Sequence, residues 1–153
     1  MIRRSLGPLL FGCIILMSSC ARPPKPPVQD LSGRENLSSF TLRQVRGARD
    51  GDRLNAEAEF SDGSSTIAVT MSFTIGVPTK LKAGHWQRMQ EGSLASGTVT
   101  ERSVMFLGGQ DGPPSLGGGF DLLDAAGVPK YRITFPATEL KTKLPFGKDR
   151  TSP

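Results

Sequence analysis

Between Leu54 and Ile75 the sequence alternates apolar and polar residues almost without a break, and an Asp-Gly pair interrupts it once. Leu54, Ala56, Ala58 and Phe60 are separated by Asn55, Glu57 and Glu59. Ile67, Val69, Met71, Phe73 and Ile75 are separated by Ala68, Thr70, Ser72 and Thr74. Successive side chains of an extended chain point to opposite faces, so a period of two gives each segment one apolar and one polar face. A helix would scatter the same residues around its axis. Asp62-Gly63 supplies a tight turn between the runs, and such a pair across Asp-Gly predicts a β-hairpin.

The same grammar recurs on both sides. A strand over 37–46 is expected before the hairpin, joined to it through the polar segment 47–52. Pro78 and Gly84 bound a shorter strand or bend, and 86–89 is expected to form another. Residues 98–107 are rich in Val, Thr and Phe but alternate more weakly, which suggests a twist or bulge. A second hairpin is expected from 119–124 and 129–135 over Ala125-Ala126-Gly127-Val128, followed by an edge strand over 137–143. Six to eight short strands at roughly 8–12-residue spacing, with no helical period, predict an all-β fold: an antiparallel β-sandwich or a small barrel.

The first 20 residues follow a different logic. Arg3 and Arg4 give a positive start, 6–17 is an apolar run broken by Gly7, Pro8 and Gly12, and Ser18-Ser19 precede Cys20. A spanning helix takes roughly 20 apolar residues, so this run fits a cleaved secretory signal. The segment resembles the signal of bacterial lipoproteins, whose lipobox ends in a cysteine that is acylated and becomes the new first residue. Here the box reads Met17-Ser18-Ser19-Cys20, with Met17 where leucine is usual. The resemblance implies a diacylglyceryl thioether on Cys20, often with a further N-acyl chain. Two or more chains hold a protein stably at a bilayer where one holds it marginally. In that class an Asp directly after the cysteine favours inner-membrane retention. Ala21 stands there instead, so the resemblance implies the outer membrane, periplasmic side, in a Gram-negative cell. The expected organisation is a signal at 1–19, a lipid anchor and Pro-rich linker at 20–34, a β-domain at 35–143 and a tail at 144–153.

Composition narrows the chemistry. Cys13 leaves with the signal and Cys20 is consumed by lipid, so no thiol remains for a disulfide, a metal or a nucleophile. The formal net charge is +5, and two of those charges belong to Arg3 and Arg4. The remaining excess is interspersed with acids, unlike the clustered footprint of a nucleic-acid binder. The prolines of 23–27 favour an extended path at ~3.1 Å per residue, suited to a spacer. Ser32-Gly33-Arg34-Glu35 has the spacing of a capping box, but no helical apolar run follows it. Asn36-Leu37-Ser38 matches a glycosylation acceptor, taken as coincidental in this setting.

No residue set specifies a reaction. The glycine-rich stretch 108–119 lacks the Gly-Lys-Ser/Thr and following helix of a phosphate cradle, and reads first as a connection whose glycines permit positive φ. His85 is the sole histidine; it has no Gly-x-Ser-x-Gly partner and too few companions for zinc. Asp50-Gly51-Asp52 is followed by Arg53 and Leu54 where a calcium loop needs ligands. Glu57, Glu59 and Asp121 would serve as a carboxylate pair only if the fold brought them together. Arg43, Arg46, Arg49 and Arg53, mixed with Asp50 and Asp52, read as a polar loop with local ion pairs.

The sequence therefore predicts a membrane-anchored, non-enzymatic β-domain without cofactor or metal. Its expected role is that of an accessory or assembly protein contacting another protein of the cell envelope. The alternative is a small-ligand or glycan-binding lipoprotein using Trp86 with Gly109, Gln110 and Asp111 of the glycine-rich stretch.

Overall fold

A computed structural model describes residues 28–31, 37, 39–108 and 113–141. Cys20, the signal, the expected capping box, Gly109, Gln110, Asp111 and the tail beyond 141 lie outside the described residues. Among the described residues there is no helix. The strands are β1 (Gln29–Asp30), β2 (Thr41–Asp50), β3 (Arg53–Ser61), β4 (Thr66–Thr74), β5 (Lys80–Gln90), β6 (Ser93–Leu107), β7 (Ser115–Leu123) and β8 (Pro129–Glu139). They form one sheet in the order β1-β8-β7-β6-β5-β4-β3-β2, each pair antiparallel. The expected all-β architecture is the observed one: a single sheet curled around its apolar face.

The central hairpin forms where the alternation is strictest. β3 (Arg53–Ser61) and β4 (Thr66–Thr74) pair in unbroken register from Arg53↔Thr74 to Ser61↔Thr66. Leu54, Ala56, Ala58, Phe60, Ile67, Val69, Met71 and Phe73 are all buried. The turn is built by Asp62, whose Oδ1 accepts the N–H groups of Ser64 at 2.8 Å and Ser65 at 2.7 Å, while Gly63 takes a φ of 99°. That is the work Asp and Gly do in turns. The bonds from Ser65 and Ser64 hold the Asp62 carboxyl below its ordinary range.

Elsewhere the strands are longer than the pattern suggests. β2 (Thr41–Asp50) runs through Gly47–Asp50, which the sequence assigns to a loop, and only Gly51-Asp52 turns. Its end is polar because it overhangs the core, while Gly47 is glycine because Leu140 lies over it. A Cβ there would stand 2.7 Å from Leu140 Cδ1. β5 (Lys80–Gln90) is one strand rather than two pieces. β7 (Ser115–Leu123) takes in Gly117, Gly118 and Gly119 from the glycine-rich stretch. Added Cβ atoms would meet the backbone of β8 at Gly117 and of β6 at Gly118, so these glycines permit close strand approach. β8 (Pro129–Glu139) runs on from the second hairpin into the expected final edge strand, taking in its residues 137–139.

β6 (Ser93–Leu107) organises the whole. Its first part pairs with β5 from Gln90↔Ser93 to His85↔Thr98, and its second part pairs with β7 from Thr98↔Leu123 to Leu107↔Ser115. Thr98 alone is paired on both sides. A bulge between Glu101 and Ser103 bends the strand, the place where alternation fades in the sequence. The sheet thus folds about β6 into two faces, β2–β5 and β7–β8, which pack on one another. Phe60 meets Phe135 at 6.3 Å and Phe73 meets Phe120 at 6.2 Å, both edge-on, and Phe120 stacks on Phe135 at 5.8 Å. Such geometries add about 0.5–1.5 kcal/mol per pair beyond area burial.

The two ends of the sheet then meet. Lys141 N–H donates to Val45 O and Gly47 N–H donates to Lys141 O, both at 3.3 Å, a parallel bridge between the end of β8 and β2. At the opposite end β1 (Gln29–Asp30) pairs with β8, and Val28 N–H donates to Phe40 O just before β2. Val28, expected in the linker, is 1% exposed and belongs to the core.

Candidate functional site

Among the described residues phenylalanines and aliphatic side chains fill the interior. Two concave surfaces stand out there. The first is a groove of about 880 Å³ crossing the outer face from β2 to β6. Cross-strand pairing explains it: Ala48, Asn55, Ser72 and Ala83 stand in one row, and Thr70, His85 and Thr98 in the next. These outward positions carry small side chains, so the twisted sheet is left uncovered along that line. Ser72 Oγ donates to Asn55 Oδ1 at 2.7 Å, and Thr70 Oγ1 donates to His85 O at 3.3 Å. Lys82, the extra residue of the β4–β5 bulge, stands at the margin.

His85 is exposed and its Nδ1 lies 2.6 Å from Gly97 O. A carbonyl can only accept, so Nδ1 carries the proton in this bond. Among the described residues no carboxylate is bonded to the ring, and the Thr70 and Ser72 hydroxyls donate to His85 O and Asn55 Oδ1. Among the described residues no three of His, Cys, Asp and Glu gather as metal ligands.

The second concavity, about 370 Å³, is a notch between the tip of the β5–β6 hairpin and Tyr131 on β8. Its floor is Arg88, 7% exposed. The guanidinium lies 5.3 Å from the Phe40 ring centre and 5.9 Å from that of Tyr131. Its Nη1 donates to Tyr131 Oη at 3.1 Å and its Nε to Ser65 Oγ at 3.4 Å. Ser65 Oγ donates in turn to Met89 O. A buried charge stands only when bonded, and this one ties β5 to Tyr131 on β8 and to Ser65 in the β3–β4 turn. Sequence reasoning missed it because Arg88 occupies an inward position that the pattern marks as apolar. Its place two residues from Trp86 on the same strand was the available signal.

Of the sequence-predicted ligand residues only Trp86 is described, Gly109, Gln110 and Asp111 lying outside the described residues, and the acids Glu57, Glu59 and Asp121 are not brought together. Trp86 is 2% exposed, and its indole N–H donates to Leu123 O at 2.7 Å. It meets Tyr131 edge-on at 5.2 Å. The indole crosses β6 over Gly97, where a Cβ would come within 2.8 Å of Trp86 Nε1 and collide with the Leu123 carbonyl. Glu57 and Glu59 lie on β3, with Glu59 accepting from Gln44 Nε2 at 2.8 Å, whereas Asp121 lies four strands away on β7. Asp121 is bound by Arg132 Nε at 2.8 Å and faces Arg102 Nη1 at 3.5 Å. The Arg132 bond holds its carboxyl below the ordinary range. Arg46 Nε donates to Gln44 Oε1 and Arg49 Nε to Gly51 O, bonds to neutral groups on a strand where a loop with local ion pairs was expected. Comparison with protein-family models, curated proteins and solved structures found no match to this chain.

Proposed function

We propose that this chain is a lipid-anchored, non-catalytic β-domain that serves as an accessory or assembly protein of the bacterial cell envelope. The observation that carries the reading is the division between interior and surface. A core filled by Phe60, Phe73, Phe120 and Phe135 leaves contacts to the outer face, where a groove crosses five strands. The anchor is Cys20, acylated after signal cleavage, and the described fold begins eight residues later at Val28. At ~3.1 Å per residue the proline-rich spacer keeps the domain within about 25 Å of the bilayer, on the periplasmic side of the outer membrane. The partner is an envelope protein held on the outer face.

The anchor and the partner are tested separately. Cys20→Ser is expected to release the protein from the membrane fraction; retention in that fraction overturns the anchor. A photo-crosslinking amino acid at position 72, in the groove of the membrane-bound protein, is expected to capture one envelope protein reproducibly. The same residue at position 125, in the β7–β8 turn, is expected not to capture it. No adduct at 72, or equal adducts at both positions, overturns the docking role.

A further inference from the structure

The outer groove and the last described residues of the chain meet at one place. Lys141 lies beside Arg46 in a parallel bridge, so the chain there runs in the direction of β2, toward Ala48. Leu140, 1% exposed over Gly47, fixes that stretch to the core. Ala48 is exposed and lines the groove at its β2 margin. Arg46 and Asp50 stand on either side of it along the outer face, so the alanine leaves a low point in the rim. Position 143, two residues past the bridge, comes level with that low point.

Residues 142–153 follow from there, and their length and order suit the groove. Strands stand about 4.8 Å apart and an extended chain advances about 3.3 Å per residue, so crossing from β2 to β6 takes about 19 Å, or about six residues. The stretch 144–153 is longer than that. The groove is lined from β2 to β4 by Ala48, Asn55 and Ser72, small and uncharged, which leaves room for the bulk of Leu144, Pro145 and Phe146. On β5 it carries Lys82 and His85, and the same spacing brings Asp149, the one acid of 142–153, level with β5. A segment held two residues from its site is present there at an effective concentration of about millimolar.

We propose that residues 142–153 fold back across the outer groove as its resident occupant, an autoinhibitory strap that the envelope protein must displace. The displacement rests on the docking reading above; the occupancy of the groove does not.

The test uses the full chain with the photo-crosslinking amino acid at position 72. In the purified protein, irradiation is expected to give an adduct at the monomer mass whose joined peptide comes from 142–153. Position 125, in the turn at the other end of the strands, is expected to give none with that segment. In membranes, Leu144→Ser with Phe146→Ser leaves the Lys141 bridge in place and empties the strap of its apolar bulk. That pair is expected to raise capture of the envelope protein at 72 about threefold or more, because fewer grooves are blocked. Deleting 142–153 is expected to raise it at least as far. No adduct between 72 and 142–153, an adduct only at twice the monomer mass, or an adduct of the segment at 107 in place of 72 overturns the proposal. Capture of an envelope protein that neither variant changes overturns it as well. If 72 joins the segment but captures no envelope protein even after the deletion, the occupancy stands and the docking reading falls.

Discussion

The hairpin β3–β4 and the hairpin β5–β6 are both long, antiparallel and closed by a glycine-containing turn, yet they bury very different amounts. In β3–β4 every second residue from Leu54 to Phe73 is inside. In β5 only Trp86 and Arg88 are buried, and in β6 only Val99. The difference lies in what stands opposite. Phe60 and Phe73 face Phe135 and Phe120 across the fold, whereas the β5–β6 tip runs past the end of β7 at Leu123 and has no layer over it. Alternation in a sequence therefore records a facing layer rather than extended backbone as such. Where that layer ends, a strand keeps its ladder, loses its pattern and offers its edge and faces to other molecules.

The largest effect expected from this contrast is at Phe73. It is 1% exposed and meets Phe120 edge-on, so Phe73→Ala removes both its transfer free energy and a contact between the two faces. A loss of about 3–5 kcal/mol is expected from denaturant unfolding with an unchanged slope. A loss below about 1 kcal/mol would mean that the two faces are not packed through this ring.

The same contrast explains what was legible. The β3–β4 hairpin, its Asp-Gly turn and the second hairpin could be read because pattern and turn chemistry agree there. The continuity of β5 could not, since Lys82, Ala83 and Gly84 show no period beside the bulge between Ser72 and Phe73. The turn after it was hidden as well: Glu91 and Gly92 take φ of 47° and 79°, the left-handed pair of a tight hairpin turn. Asn or Asp would have announced that turn, and Glu does not. The glycines at 117–119 read as loop because a strand seldom needs three, and only the nearness of β6 and β8 accounts for two of them. Of the site, the groove was not legible, because it arises from small residues aligned across five strands, a relation that exists only once register is set.

A middle-sized effect is expected at Gly97, where the indole of Trp86 attaches the sparse hairpin to the core. The Trp86 indole passes over this glycine to reach the Leu123 carbonyl, and a Cβ would strike that carbonyl. Because the obstruction is backbone, relief requires moving β7 or expelling the ring. Gly97→Ala is expected to cost about 1–3 kcal/mol. Trp86 is the only tryptophan, so its fluorescence reports on the mutant directly and should shift to the red. An unshifted spectrum with full stability would show that the indole does not cross β6.

The smallest effect is expected at the hairpin tip, and it bears hardest on the comparison. Met89 and Leu94 form a cross-strand pair on the outer face, each 57% exposed. Buried beneath a layer, a Leu-to-Lys change would force a charge out of water and cost several kcal/mol. On an uncovered strand the stem of lysine lies along the same surface while its ammonium stays wet. Leu94→Lys is therefore expected to alter unfolding free energy by no more than about 0.5 kcal/mol. A loss of about 2 kcal/mol or more would place a covering layer over the β5–β6 tip. Its broken pattern would then need a cause other than an empty opposite side.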